Sequence, residues 1–340
     1  METSPITARS LEKYYYIDGD EFERAYKEHL SGFRSWNQLD HADRWLIFPE
    51  NMGEHLSIDE TSLSDGELYT ILTNKERHGR KGALVAIIQG TQIDNTIKVL
   101  NQLPFKDRCR VKEVTMDFCE GMNTVVKTCF IRARRTIDRF HMQRLCCDAL
   151  QELRLKLKRE AHKKEVEARE QFKHKRKRKN ASKKIRKNKR FEPERLANGD
   201  TLCELLSRSH YLLQTSYDKW SASQQERARI LFDIYPELRK GYNLTHYLRM
   251  IFNNKRHTIE SGRLALKDWY ASVAEFDNDA FNTVAATIYE REKDVLNYFI
   301  RRATNASAES FNSKIKSFRA QLRGVVDVKF FLFRVSKIWG

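Results

Sequence analysis

The chain has no C-x-x-C pair: its six cysteines stand at 109, 119, 129, 146, 147 and 203, and the one close pair is adjacent. That spacing excludes a zinc knuckle and a disulfide framework. Long apolar runs are also missing, and none approaches the roughly 18 to 20 residues that a spanning helix needs. Met1 to Ser10 lacks the basic start and apolar stretch of a secretory signal, so a cytoplasmic protein is expected. Proline and glycine are scarce, at 5 and 13 of 340 residues, while 40 % of the residues are hydrophobic and 32 % charged. Such a chain can build a core, as one large or two modest domains.

What the chain has in excess is positive charge. Lys and Arg number 63 against 46 Asp and Glu, a formal net charge of +17, so a polyanion is the first partner to consider. The excess is uneven. From Lys173 to Arg190 stand eight Lys and four Arg with no acid, a block of +12 that leaves +5 for the remaining residues. Such a run reads either as a solvated, self-repelling linker or as a clamp that takes up phosphates by releasing counterions, and a segment that orders on DNA is both.

Residues 1 to 52 read as short helices with aromatic anchors (Tyr14, Tyr15, Tyr16, Phe33, Trp36, Trp45, Phe48). From His55 the texture turns to strands: Leu56 and Ile58 alternate with Ser57 and Asp59, and Leu68 to Thr73 and Ala83 to Ile88 are β-prone. A helix from Gln92 to Leu103, a strand from Val111 to Phe118, a helix near Met122 to Phe130 and a short strand from Arg135 to Asp138 follow, then a long helix that becomes the basic run. Leu196 to Tyr298 is helical throughout, its aromatic residues read as core. A last helix begins near Ser307, with Asn305 or Ser307 as N-cap, and runs toward Gly324.

Asp59 and Asp117 occupy corresponding places near strand ends, each on the face opposite an apolar pair, and they converge if the strands are neighbours. Glu309 lies in the first turn of the last helix, sharing a face with Asn312, Ser313 and Lys316, while Phe311, Ile315, Phe318 and Leu322 form an apolar stripe. Carboxylates gathered from distant parts of a chain repel unless a divalent cation lies between them. A two-metal phosphodiester site uses that arrangement. The bland alternative for any one acid is a turn or cap residue, and Glu60 competes with Asp59.

Four segments carry a resemblance: Ser57-Ile58-Asp59-Glu60-Thr61-Ser62-Leu63, Val114-Thr115-Met116-Asp117, Thr136-Ile137-Asp138-Arg139-Phe140-His141 and Asn305-Ala306-Ser307-Ala308-Glu309-Ser310-Phe311-Asn312. In order they resemble the motifs of bacterial insertion-sequence transposases of the DDE type. The D-R-F-H segment points to the ISL-three branch, and the whole chain resembles its two-gene Bacteroides-type variant. The resemblance implies an α/β, RNase H-like fold, a mixed five-stranded sheet core interrupted by a large all-α insertion. The segments are then 1–52 (helical), 53–150 (core, first part), 151–195 (basic helix and linker), 196–298 (insertion) and 299–340 (core, last helix).

The same resemblance implies Asp59, Asp117 and Glu309 as catalytic, metal-binding residues, holding Mg²⁺ or Mn²⁺, two ions in all. Asp138, His141 and Asn312 are supporting residues; His141 either serves the site or DNA near the cut, or closes a strand-to-helix turn by a hydrogen bond. Lys175, Arg176, Lys177, Arg178, Lys183, Lys184, Arg186, Lys316, Arg319 and Arg323 are expected on DNA phosphates. The implied function is metal-dependent cleavage at transposon ends and 3′-hydroxyl strand transfer into target DNA. A junction resolvase or a non-catalytic DNA-binding descendant are the alternatives. Expected partners are transposon-end and target DNA, a second copy on DNA, and a separate small DNA-binding protein, because only some 50 residues precede Asp59 where longer relatives carry end-reading modules.

Overall fold

A computed structural model of the chain describes residues 1–63, 66–180, 190–322 and 324–340. They form two compact units, Met1–His141 with Lys293–Gly340, and Met142–Glu292.

The first unit is built on six strands, β1 (Trp45–Ile47), β2 (His55–Ser62), β3 (Leu68–Asn74), β4 (Leu84–Gln89), β5 (Glu113–Met116) and β6 (Arg134–Ile137), in the order β1-β4-β3-β2-β5-β6. The sheet is mixed. Short connections make β2, β3 and β4 antiparallel neighbours, and β1, from earlier in the chain, pairs antiparallel with β4. Helix α1 (Ile93–Leu100) lies on the path from β4 to β5, and helix α2 (Glu120–Cys129) joins β5 to β6. These longer connections let β5 and β6 run parallel to β2. The turn after β3 depends on Gly79 and Gly82, at φ +67° and +80°, where a side chain would be strained.

The expected five strands are β2 to β6, and the sheet has a sixth. β1 lies at its edge within a segment read as helical, since three residues are too short to show a strand period. A second correction concerns Tyr14, Tyr15 and Tyr16, expected as anchors but exposed, because helix Arg9–Tyr15 buries nothing. The buried anchors of this segment are Tyr26 and Phe33, packed on Phe330 and Phe333, and Phe48, in the sheet core, with Trp36 partly buried against both clusters.

Two late helices, α8 (Ala306–Gln321) and α9 (Val328–Trp339), cover one face of the sheet. Phe311, Ile315 and Phe318 from α8 and Phe331, Val335 and Trp339 from α9 meet Leu46, Tyr69, Ile71 and Ile87 in a single core. Side chains of alternate parity, Ile58, Leu72, Val114 and Met116, face the other way and are equally buried. Both faces are thus covered, as parallel strands require.

The second unit is all helix. Its main elements are α3 (Arg139–Asn180, entering from the first unit), α4 (Ala222–Ile234), α5 (Pro236–Asn253), α6 (Ile259–Phe276) and α7 (Asp279–Glu290). Capping boxes at Ser221/Gln224 and Thr258/Ser261 start α4 and α6, and Pro236 starts α5. Phe232, Phe252, Trp269 and Phe281 are buried, in keeping with the core reading of the aromatics, whereas Tyr289, also read as core, is exposed. Gly241 lets α5 approach α3: a methyl there would lie 3.1 Å from Leu150 and 3.2 Å from Phe281. Among the described residues no helix is long and apolar enough to cross a membrane.

Candidate active site

One row of side chains crosses the whole sheet. Leu46 pairs with Ile87, Ile87 with Ile71, and Ile71 with Asp59. The parallel half continues it: Ser57 pairs with Thr115 and Met116 with Ile137, so Asp117 stands two residues beyond one pair and Asp138 one residue beyond the other. The Asp138 N–H donating to the Met116 carbonyl at 2.9 Å carries the ladder to that point. Because side-chain parity is fixed by the pleat, Leu46, Ile87, Ile71, Asp59, Asp117 and Asp138 share one face. The row begins apolar under α8 and α9 and ends in three carboxylates.

Helix α8 spans both halves. Its Phe311, Ile315 and Phe318 sit on the apolar half, while Asn312 Nδ2 donates to Asp59 Oδ2 at 2.7 Å. Glu309 is exposed in its first turn. Asn305 occupies the N-cap position but makes no side-chain cap. Its Nδ2 donates instead to Asp117 Oδ1 at 2.9 Å and to the Ile58 carbonyl at 3.3 Å, and its backbone N–H donates to Asp138 Oδ2 at 3.1 Å. One buried residue thereby ties β2, the end of β5, the end of β6 and the start of α8 together.

His141 Nε2 lies 3.0 Å from Asp117 Oδ1, and Asp138 Oδ1 accepts the Phe140 N–H at 3.1 Å. The D-x-x-H segment therefore does two things: the aspartate closes the turn from β6 into α3, and the histidine reaches across to the neighbouring strand end. Lys75 braces the same region from below, its Nζ donating to Thr115 Oγ1 at 2.8 Å and the Thr304 carbonyl at 3.0 Å.

Electrostatics follow from this crowding. Burial, then the charge of Asp117, and to a lesser degree Glu309, push the Asp59 carboxyl from 3.8 up to about 7, against the pull of the Glu60 N–H and His141. Burial also raises Asp138, opposed by the N–H groups of Phe140 and Asn305. His141 is raised by its hydrogen bond to Asp117, which outweighs its burial. Burial lowers Lys75, opposed by Glu113 and Asp138.

Asp59, Asp117, Glu309, Asp138, His141 and Asn312 are thus all brought to one end of the sheet. Glu60 is exposed, on the alternate face from Asp59, and contributes its backbone N–H to Asp59 Oδ1 at 2.9 Å. Lys316 and Lys175 are exposed. Arg319 is placed otherwise than expected: it is buried, paired with Glu67 at 2.7 Å and stacked 5.2 Å from the Phe331 ring, so its guanidinium serves the core. Arg176, Lys177 and Arg178 belong to helix α3, with side chains outside the described set; Lys183, Lys184, Arg186 and Arg323 lie outside the described residues. Sequence reasoning missed Asn305 and Lys75 as site residues. Asn305 carried a signal, since it opens the last motif, whereas Lys75 reads as an ordinary turn lysine.

The donor set fits a hard divalent cation. Among the described residues the group whose ligand atoms all lie within 4.8 Å of one another is Asp138, His141 and Glu309, which takes in Glu309 but neither Asp59 nor Asp117. The carbonyl oxygens Oδ1 of Asn305 and Asn312 are buried without a hydrogen-bond partner, beside carboxylates that repel one another.

The family model for transposases of the DDE type, ISL-three branch, described as "Transposase", matches residues 56–335. No curated protein and no solved structure matches the chain. The matched span takes in all four motif segments and both crossings between the two units, and it shows that the chain belongs to the ISL-three family of DDE transposases, enzymes of DNA transposition that cut and join DNA with a divalent cation.

Proposed function

We propose that Asp59, Asp117 and Glu309 are the metal-holding residues of this transposase, and that one site carries out both end cleavage and strand transfer. The observation that supports this most directly is the row register, which aligns Asp59 with Asp117 beneath the helix that bears Glu309. When bound, two Mg²⁺ or Mn²⁺ ions would activate the attacking oxygen and stabilise the leaving oxygen of the phosphodiester. Water attacks in the first step and the freed 3′-hydroxyl in the second; both are in-line displacements at phosphorus, so the same wall of side chains serves both.

The chain's own residues orient that wall. Asn312 fixes the Asp59 carboxylate and Asn305 that of Asp117, leaving the remaining lone pairs free for ligation. His141, held as a donor to Asp117, keeps a proton next to the reacting region. Lys316, on the same helix as Glu309 and exposed, meets a backbone phosphate. Asp59→Ala, Asp117→Ala and Glu309→Ala are each expected to abolish Mg²⁺-dependent cleavage and 3′-end joining of a labelled end duplex while leaving DNA binding intact. Retained cleavage in the Asp117 variant would overturn the assignment.

Two copies act together on paired ends, and a separate small protein of the same element supplies recognition of the terminal repeat. Footprinting with the purified chain tests the second point: tight, sequence-specific protection without any partner contradicts it.

A further inference from the structure

At the opposite ends of the strands that carry the acids, the first unit opens into a cavity of about 610 Å³. Its wall is where β2, β5 and β6 begin. Arg110 and Lys112 precede β5, Arg132 and Arg134 lead into β6, and Arg301 comes from the segment before α8, so five cations face the cavity against the single carboxylate of Glu54. Lys112 holds Glu54 at 2.6 Å. Arg134 lies 3.5 Å from the buried Glu113, and Arg301 donates to His55 Nε2, whose Nδ1 is 2.8 Å from Glu76. Arg110 is 72 % exposed, with Asp107 no nearer than 3.7 Å, and Arg132 is exposed.

This concentration is not what a small apolar ligand selects, since Val111 is the one aliphatic side chain in the wall. Guanidinium forks match the oxygens of a phosphodiester. The cations lie at the starts of the adjacent strands β5 and β6, with Arg301 placed beside His55 at the start of β2; with strands about 4.8 Å apart this makes a front of roughly 10 Å that spans more than one phosphate of a DNA strand. They do not coincide with the reaction centre. Asp59 lies four positions beyond His55 and Asp138 four beyond Arg134, about 13 Å along a strand at about 3.3 Å per residue.

We propose that this cavity is a second DNA site, which takes the phosphodiester backbone of a duplex away from the scissile phosphate and reads no sequence. It rests on DNA as the substrate of this chain and not on the assignment of the metal-holding residues, so either can fail without the other.

Cys109 lines the cavity and Cys119, exposed, begins α2 near the carboxylate end, so the two native thiols report on the two ends of the sheet. Alkylation of the full chain by N-ethylmaleimide, resolved by peptide mass spectrometry, is followed with a random-sequence duplex, with a duplex bearing the element's terminal repeat, and with inorganic pyrophosphate. Several-fold slowing at Cys109 by either duplex supports the site, and the duplex that protects more strongly identifies its source as target or end. Equal rates with and without both duplexes, or protection by pyrophosphate as strong as by DNA, overturn it. Independently, the double variant Arg110→Ala/Arg132→Ala, at exposed positions, should lower the slope of log affinity against log salt by about 1.8, or about 0.9 per lost phosphate contact. An unchanged slope in a variant with the parent's thermal midpoint overturns the proposal.

Discussion

A carboxyl group only 7 % exposed, with Asp117 beside it and Glu309 above, is held near pKa 7 instead of 3.8, and this has a consequence for stability. In metal-free protein, between about pH 4 and 7 the folded state keeps a proton on Asp59 that the unfolded chain has lost. Stability therefore falls as pH rises through that window, and above it the full penalty of the buried charge remains. A divalent cation competes with that proton, so its stabilising effect should grow in the same direction. In EDTA, the thermal midpoint of the parent is expected to drop between pH 5 and 8 by a few degrees more than that of Asp59→Asn, and Mg²⁺ should recover the difference at pH 8. Parallel profiles for the two proteins would remove Asp59 as the cause.

Asn305 is the other residue whose role is local in chemistry and long-range in origin. Asn305→Ala removes one donor from Asp117 Oδ1, which keeps His141, and the side-chain donor of the Ile58 carbonyl, at about 1 kcal/mol for each hydrogen bond lost. Cleavage should fall while DNA affinity stays, which a mobility-shift assay beside a nicking assay would separate. The sequence makes Asn305 look like a helix cap because Asn before a helix usually is one. Its actual partners lie 167 to 247 residues away, and no local pattern encodes them.

At the scale of elements, alternation was the legible signal. Asp59 on the face opposite Leu56 and Ile58, and Asp117 opposite Val114 and Met116, follow from the period-2 pleat and hold in the sheet. The order of β2 to β6 with their crossover helices was equally readable. Strand β1 was not, being three residues long, and Arg319 was misread because helical spacing alone does not say which neighbour covers a face. Helix α8 joins the two halves of the row, which predicts a split between stability and binding. Phe318→Ala should destabilise the first unit by about 3–5 kcal/mol in denaturant unfolding. Lys316→Ala, exposed on the same helix, should leave stability within about 0.5 kcal/mol and weaken DNA binding.

For the whole molecule, the proposed roles would have the distribution of charge separate affinity from chemistry. The block from Lys173 to Arg190 supplies +12 of the +17, and the proposed metal-holding acids lie in the remainder of +5. Replacing the five Lys and Arg between residues 181 and 189 by Gln should reduce the salt slope of DNA binding by up to about 4.5, with the thermal midpoint unchanged. A shifted midpoint would mean that those side chains serve the fold.

The hub at Asn305 also bears on the order of synthesis. Chains emerge from the ribosome N-terminus first. Asp59, Asp117 and Asp138 therefore appear long before the residue that aligns two of them and the helix that bears Glu309. A nascent or prematurely stopped transposase carries the basic block at 173–190 without a finished reaction centre. On the proposed roles such a product is expected to bind DNA without cutting it, which adding a chain stopped before Asn305 to a strand-transfer assay of the intact enzyme would check as inhibition.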